Sequence, residues 1–198
     1  DYKGAISDYT KVIEIDPNDA YAYYNRGIAK AYLEDYKGAI SDYTKVIEID
    51  PNYADTYNNR GLSKYNLKDY YGAIAEYTKA IEIDPNYAFA YTNRGLSKYD
   101  LGDYEGAIAD YDKAIDINPN LAVAYNNRGS VKEYLEDYKG AISDYTKAIE
   151  IDPNDAAAYY NRGIAKAYLE NINAACKDAR KALELGYDAS ALIKIVCK

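Results

Sequence analysis

The sequence contains no histidine, no tryptophan and no methionine, and only two cysteines, Cys176 and Cys197. Without histidine the chain lacks the commonest general base near neutral pH and the commonest metal ligand. Two cysteines close to the C-terminus make no zinc spacing. No phosphate loop, nucleophile elbow or metal motif is present. No apolar run approaches the roughly 18–20 residues of a membrane span, and no signal-peptide pattern opens the chain. The absence of methionine implies that Asp1 is not the natural start, so the chain is expected to be a fragment or a processed form. Basic charge is also in short supply: 24 Lys and Arg stand against 32 Asp and Glu, a net charge of −8. Nucleic acid would demand a basic stripe, because affinity there rests on phosphate neutralisation, and an anionic membrane surface would demand the same. The expectation is a non-catalytic chain with no cofactor, no metal, no nucleic-acid partner and no membrane insertion. It should be soluble, cytoplasmic by default and extracytoplasmic if the two cysteines are bonded.

What the sequence does have is self-similarity. Asp16-Pro17, Asp50-Pro51, Asp84-Pro85, Asn118-Pro119 and Asp152-Pro153 recur every 34 residues. Between them Asn-Arg-Gly recurs at Asn25, Asn59, Asn93, Asn127 and Asn161. Residues 1–18 reappear unchanged as residues 35–52. Each unit reads as two helices. Helix A starts at Ala20 and its equivalents. Helix B is opened by an N-cap at Asp35 and carries Tyr36, Ala39, Ile40, Tyr43, Val46 and Ile47 as a 3.6-residue stripe. Proline ends each helix B, having no N–H to continue it. Gly27 and Ala39 are small where the two backbones are expected to approach closely. One such pair cannot bury its stripe alone, so the pairs should stack into a solenoid.

These residues resemble the tetratricopeptide repeats, whose pattern appears here as Tyr57, Gly61, Tyr70, Ala73, Tyr77, Ala80 and Pro85. The resemblance implies an all-α, right-handed superhelical solenoid of antiparallel helix pairs, with about twelve helices. The expected organisation is a single array over 1–198. A lone helix B (1–19) precedes full repeats at 20–53, 54–87, 88–121, 122–155 and 156–187, and a capping helix follows at 188–198. It further implies a scaffold that holds a protein or peptide, with helix A lining the concave face.

On helix A the second, fifth, sixth, ninth, twelfth and thirteenth positions share one side. They supply Tyr21, Tyr24 and Asn25 in the first repeat, and Asn58, Asn59 and Tyr65 in the second. The first two repeats also place Ile28, Ala31 and Tyr32, and Asp55, Leu62 and Asn66, on this side; the third adds Phe89, Thr92, Asn93, Leu96, Tyr99 and Asp100, the fourth Val123, Asn126, Asn127, Ser130, Glu133 and Tyr134, and the fifth Ala157, Tyr160, Asn161, Ile164, Ala167 and Tyr168. Tyrosine and asparagine suit recognition, as rigid amphipathic area beside amides that can bond a peptide backbone. The alternative is that asparagine is a repeat signature and the extra tyrosines only fill space. None of these positions holds Lys or Arg, so a clamp for a C-terminal carboxylate, which some family members build here, is not expected.

Every repeat departs from the family in carrying Arg and Lys at Arg26/Lys30, Arg60/Lys64, Arg94/Lys98, Arg128/Lys132 and Arg162/Lys166. An acid recurs in step on helix B at Asp8, Asp42, Glu76, Asp110, Asp144 and Asp178. An inter-helix charge ladder is the favoured reading, and an anion site the other. The last repeat drifts, with Ala179 for Tyr and Cys176 for Ile, as a terminal repeat should. Cys176 and Cys197 fall level on neighbouring helices, which allows a disulfide, although a pair of buried free thiols is slightly preferred. Apolar residues at both ends point to a homo-oligomer, unless preceding residues cover the first helix. Three functions stay open: a peptide-binding scaffold, a self-assembling element, or an adaptor segment of a larger protein.

Overall fold

The computed structural model describes residues 1–197, which form twelve α-helices and no strand among the described residues. They fall into two compact units divided after Asp103. The first holds α1 (Tyr2–Ile15), α2 (Ala20–Tyr32), α3 (Tyr36–Ile49), α4 (Ala54–Asn66), α5 (Tyr70–Ile83) and α6 (Ala88–Asp100). The second holds α7 (Tyr104–Ile117), α8 (Ala122–Tyr134), α9 (Tyr138–Ile151), α10 (Ala156–Tyr168), α11 (Ile172–Glu184) and α12 (Ser190–Val196).

The helix boundaries follow from local chemistry. The Asp35 carboxylate accepts from Gly38 N at 2.9 Å, and Asp69 and Asp137 cap α5 and α9 in the same way. Each helix A ends in a Schellman turn: in α2, Glu34 N donates to Ala31 O at 2.9 Å and Asp35 N to Lys30 O at 2.9 Å. That turn demands a left-handed residue. Gly102 fills the position in one repeat, but Glu34, Lys68, Glu136 and Glu170 occupy it with φ of 61, 62, 63 and 58°. Helix B stops where Asp50 turns to extended backbone before Pro51, and the Asp50 carboxylate then accepts from Asn52 N at 3.0 Å.

The core is built from alanine and tyrosine. Ala39, Ala73, Ala141 and their neighbours are fully buried, and the largest fully buried side chains are Tyr43, Tyr77, Tyr111 and Tyr145. The glycine of helix A serves these rings. A Cβ on Gly27 would lie 2.7 Å from Tyr43 Cε1, and Gly61 and Gly129 stand in the same relation to Tyr77 and Tyr145. A tyrosine ring, rather than a neighbouring backbone, is therefore what the small residue admits. Burying such a side chain contributes about 2–3 kcal/mol.

The C-terminal pair solves the same problem differently. Ala179 stands where the ring-bearing tyrosine would be, and Leu192 of α12 reaches over instead, its Cδ2 3.1 Å from the Cβ position of Gly163. Leu192 and Val196 join Ala175, Ala179, Ala182 and Ala189 in one buried cluster. The two cysteines are not free thiols. Cys176 and Cys197 are bonded to each other with Cα atoms 5.1 Å apart. Both are half-buried. Cys176 occupies the register of Ile40 and Ile142, which are themselves half-covered, so the position is not the buried one that the free-thiol reading requires.

Candidate functional site

The face predicted for recognition lies along α2, α4 and α6 in the first unit and along α8 and α10 in the second. Much of the polar ladder on this face is spent on holding successive A helices together. Asn59 Nδ2 donates to the Tyr24 hydroxyl at 3.0 Å, Asn93 Nδ2 to Asn58 Oδ1 at 3.0 Å, and Asn161 Nδ2 to Asn126 Oδ1 at 3.3 Å. The sixth position of one repeat thus bonds the fifth position of the repeat before it. Asn25 Nδ2 donates within its own helix, to Tyr21 O at 2.8 Å. Asn58 and Thr92 are buried, and Thr92 Oγ1 donates back to Ala88 O. Asn59, Asn93 and Asn161, whose N–H groups are taken, therefore offer a ligand their oxygen more than their N–H.

The tyrosines divide as well. Tyr24 packs between Tyr43 and Tyr53, and burial first, with the electrostatic interaction with Tyr53 next, pushes its phenol up to about 12. Tyr65 donates to Asp100 Oδ2 at 2.6 Å and leans on Tyr70; burial first and this bond second raise its pKa. Tyr160 packs against Tyr187 at 4.7 Å, and Tyr134 against Tyr104 at 4.5 Å. Tyr99 and Asn127 are half-buried. Tyr21, Tyr32, Leu62 and Phe89 remain largely exposed in the first unit, as do Val123, Tyr134 and Tyr168 in the second.

Two hollows open on this face. One, of about 360 Å³, is lined by Ile28, Ala31 and Tyr32 of α2, Tyr36 and Tyr43 of α3, and Asn59, Leu62, Ser63 and Asn66 of α4. The other, of about 350 Å³, lies between Tyr160, Ile164, Ala167 and Tyr168 of α10 and Ala191, Leu192 and Ile195 of α12. The charged groups at these helix positions are acidic. Asp55 accepts from the Tyr87 hydroxyl, Asp100 from Tyr65, and Glu133 from Tyr145 at 2.9 Å. Burial raises the Glu133 pKa, opposed by that hydrogen bond.

The basic ladder points the other way, into the helix pairs. Arg26 Nε and Nη2 donate to Asp42 at 2.9 and 2.7 Å, and Lys30 Nζ reaches the same carboxylate at 2.7 Å. Arg60 and Lys64 share Glu76, Arg128 and Lys132 share Asp144, and Arg162 and Lys166 share Asp178. These four acids are buried, which supports the structural reading of the ladder over an anion site. Glutamate reaches a methylene farther and meets only one arm of its arginine, leaving Arg60 Nε buried without a partner. Sequence reasoning missed the third arm. Arg26 Nη1 donates to Thr10 Oγ1 at 3.1 Å, Arg60 to Thr44, Arg94 to Thr78 and Arg162 to Thr146, each on the preceding helix B, while Arg128 meets Asp112 there. The guanidinium also sits over the tyrosine three residues earlier, 5.4 Å from the Tyr23 centroid in the first repeat. The in-phase recurrence of Thr10, Thr44, Thr78 and Thr146 was the available signal.

Helix pairs tied at a charged core, with one face of A helices left open, define a helical-repeat scaffold. Models of the tetratricopeptide repeat match residues 20–53, 54–87 and 122–155, and a second such model matches 76–109 and 144–177. A third, described as a TPR repeat, matches 1–33 and 95–133. The chain belongs to the tetratricopeptide repeat family, whose fold is a protein–protein interaction scaffold. Among solved structures, MamA is similar at 31% identity, covering 80% of this chain and 93% of that one with a TM-score of 0.72. MamA residues 41 to the end from Desulfovibrio magneticus RS-1 match at 20% identity over 84% of this chain and 94% of that one, TM-score 0.73. YrrB, described as a TPR protein with an unusual peptide-binding site, matches at 24% over 94% of this chain and 96% of that one, TM-score 0.70. The last two likenesses carry the fold alone. No curated protein matches the sequence significantly. No described helix is long and apolar enough to cross a membrane.

Proposed function

We propose that the chain is a non-catalytic scaffold that holds an extended peptide or protein segment along the open face of its A helices. The observation that carries this reading is the hollow between α2 and α4. Six positions picked out by helical periodicity, Ile28, Ala31, Tyr32, Asn59, Leu62 and Asn66, converge on a space of about 360 Å³, roughly the lower end for a ligand pocket. An aromatic or branched apolar side chain fits such a space. The asparagine oxygens beside it can accept from the segment's backbone N–H groups. Since the charged groups on this face are acidic and the bases are sequestered in the helix pairs, the segment should be neutral or basic. The bonded Cys176–Cys197 pair supports an oxidising compartment.

Peptide display against the chain tests this, run beside a Leu62→Ser, Asn66→Ala, Phe89→Ser variant. Those side chains are exposed and none makes a hydrogen bond to another repeat, so folding should survive. Substituting Asn59 or Asn93 would confuse the result, because their amides join adjacent repeats. Neutral or basic peptides with an aromatic or branched anchor should enrich on the parent and not on the variant. Equal enrichment on both, or none on either, would remove the groove as the binding surface.

A further inference from the structure

The hollow between α2 and α4 and the step from α4 to α6 are built on the same positions, 34 residues apart. Ala31, Tyr36, Tyr43 and Asn66 line the hollow, and their counterparts one repeat later are Tyr65, Tyr70, Tyr77 and Asp100. In that later step Tyr65 reaches across to the next helix A. Its ring lies 5.4 Å from that of Tyr70, and its hydroxyl donates to Asp100 Oδ2 at 2.6 Å. Between α2 and α4 an alanine stands where that ring would begin, and a space of about 360 Å³ is open. The hollow between α10 and α12 also carries an alanine, Ala167, in this register. Two polar groups lining the first hollow have bonding capacity to spare. Tyr43 is 1% exposed, yet its hydroxyl makes no hydrogen bond among the described residues, whereas Tyr145 in the same register donates to Glu133 at 2.9 Å. Asn66 donates its amide N–H to Leu62 O within its own helix, which leaves its Oδ1 able to accept.

We propose that the hollow between α2 and α4 is a recognition site for a tyrosine side chain of the bound segment, which takes the place that Tyr65 takes one repeat later. The inference rests on the groove reading above and names its anchor residue. The incoming ring lies on Tyr36 and covers Tyr43, and its hydroxyl donates to the Asn66 oxygen as Tyr65 donates to Asp100. A phenylalanine in the same place leaves that oxygen desolvated without a donor, which is the costlier arrangement. Charge decides the form of the anchor. Asp55 and Asp100 lie on the same face, while Arg26, Lys30, Arg60 and Lys64 are held by Asp42 and Glu76. A phosphotyrosine or a carboxylate side chain therefore meets no counter-charge there. The anchor is an un-ionised phenol, flanked by neutral or basic residues.

The test titrates p-cresol, the tyrosine side chain alone, into the isotope-labelled whole chain and follows the amide spectrum, beside toluene and p-tolyl phosphate. Saturable p-cresol binding is expected, in about the millimolar range open to so small a ligand. Toluene, which lacks the hydroxyl, should bind about fivefold more weakly. The phosphate should not bind. Ala31→Tyr supplies the ring from within the chain and should abolish p-cresol binding. Asn66→Ala should bring p-cresol down to the level of toluene, and it decides the matter by itself if Ala31→Tyr does not fold. No p-cresol binding, equal affinity for toluene, tight binding of the phosphate, or binding indifferent to both substitutions overturns the proposal. The two readings fail separately. Displayed peptides that lack tyrosine and still bind Ala31→Tyr keep the groove and overturn the tyrosine anchor. Binding of p-cresol as expected, with no peptide enriched, keeps the phenol site and overturns the extended segment.

Discussion

Helices α2 and α10 differ only at Tyr21 and Ala157, yet the pairs they head are completed in different ways. Both set an arginine and a lysine around one buried aspartate, Asp42 in the first and Asp178 in the second. Over the glycine they diverge. Helix α3 supplies the Tyr43 ring from within the pair, while α11 offers only Ala179 and the space is filled by Leu192 from α12. The charged triad specifies which faces meet. The apolar volume then accepts whichever side chain the surroundings can deliver. The second solution makes α10–α11 depend on a helix of 7 residues, and the bond between Cys176 and Cys197 keeps that helix in place.

The largest effect should come from breaking what the two pairs share. Asp42→Ala and Asp178→Ala each strand an arginine and a lysine that are mostly buried, a loss of about 3–5 kcal/mol. Asp8→Ala, in the same helix sequence as Asp42, should leave urea unfolding unchanged. If the Asp42 and Asp178 variants unfold like the parent, the triads do not hold the pairs together.

Where the pairs differ, a smaller and asymmetric effect is expected. Gly61→Ala drives a methyl to 2.7 Å from the Tyr77 ring, whose position is fixed by full burial. Overpacking of this kind costs about 1–3 kcal/mol, beyond the roughly 1 kcal/mol that alanine regains in helix propensity. Gly163→Ala meets the end of the Leu192 side chain at 3.1 Å, which can rotate away, so the propensity gain should prevail. Thermal unfolding should move down for the first and stay level or rise for the second. A matched fall in both would mean that Leu192 is as rigid as the ring.

The smallest effect tests a feature the two pairs have in common but Gly102 avoids. Glu34→Gly and Glu170→Gly relieve left-handed backbone at the A–B turn and should each stabilise by about 0.5–1 kcal/mol. Circular-dichroism melts resolve gains of that size when the two changes are combined. A lowered midpoint would show that the glutamate side chains contribute more than the strain they carry.

Much of this molecule is legible in the sequence because each repeat states the same message again. The Asp-Pro spacing places the ends of helix B, and Asp35 marks its start. The phase shared by Arg26, Lys30 and Asp42 predicts their meeting without any structure. The candidate face is only partly legible. Periodicity groups Asn59 and Asn93 on the candidate face of helix A, but does not show that their N–H groups turn along the array to Tyr24 and Asn58. It placed Tyr65 there too, but not its bond to Asp100. A helical wheel records direction from the helix axis and carries no information on which neighbour is within 3 Å.

By itself, then, the sequence determined the helices, their pairing, the family and the polarity of the open face, since these depend on period, capping chemistry and charge that every repeat carries. Tertiary structure alone decided that Leu192 substitutes for a tyrosine and that Cys176 and Cys197 are joined. Those outcomes depend on what lies beyond the repeat's own boundary, and a local pattern of 34 residues does not contain its neighbour.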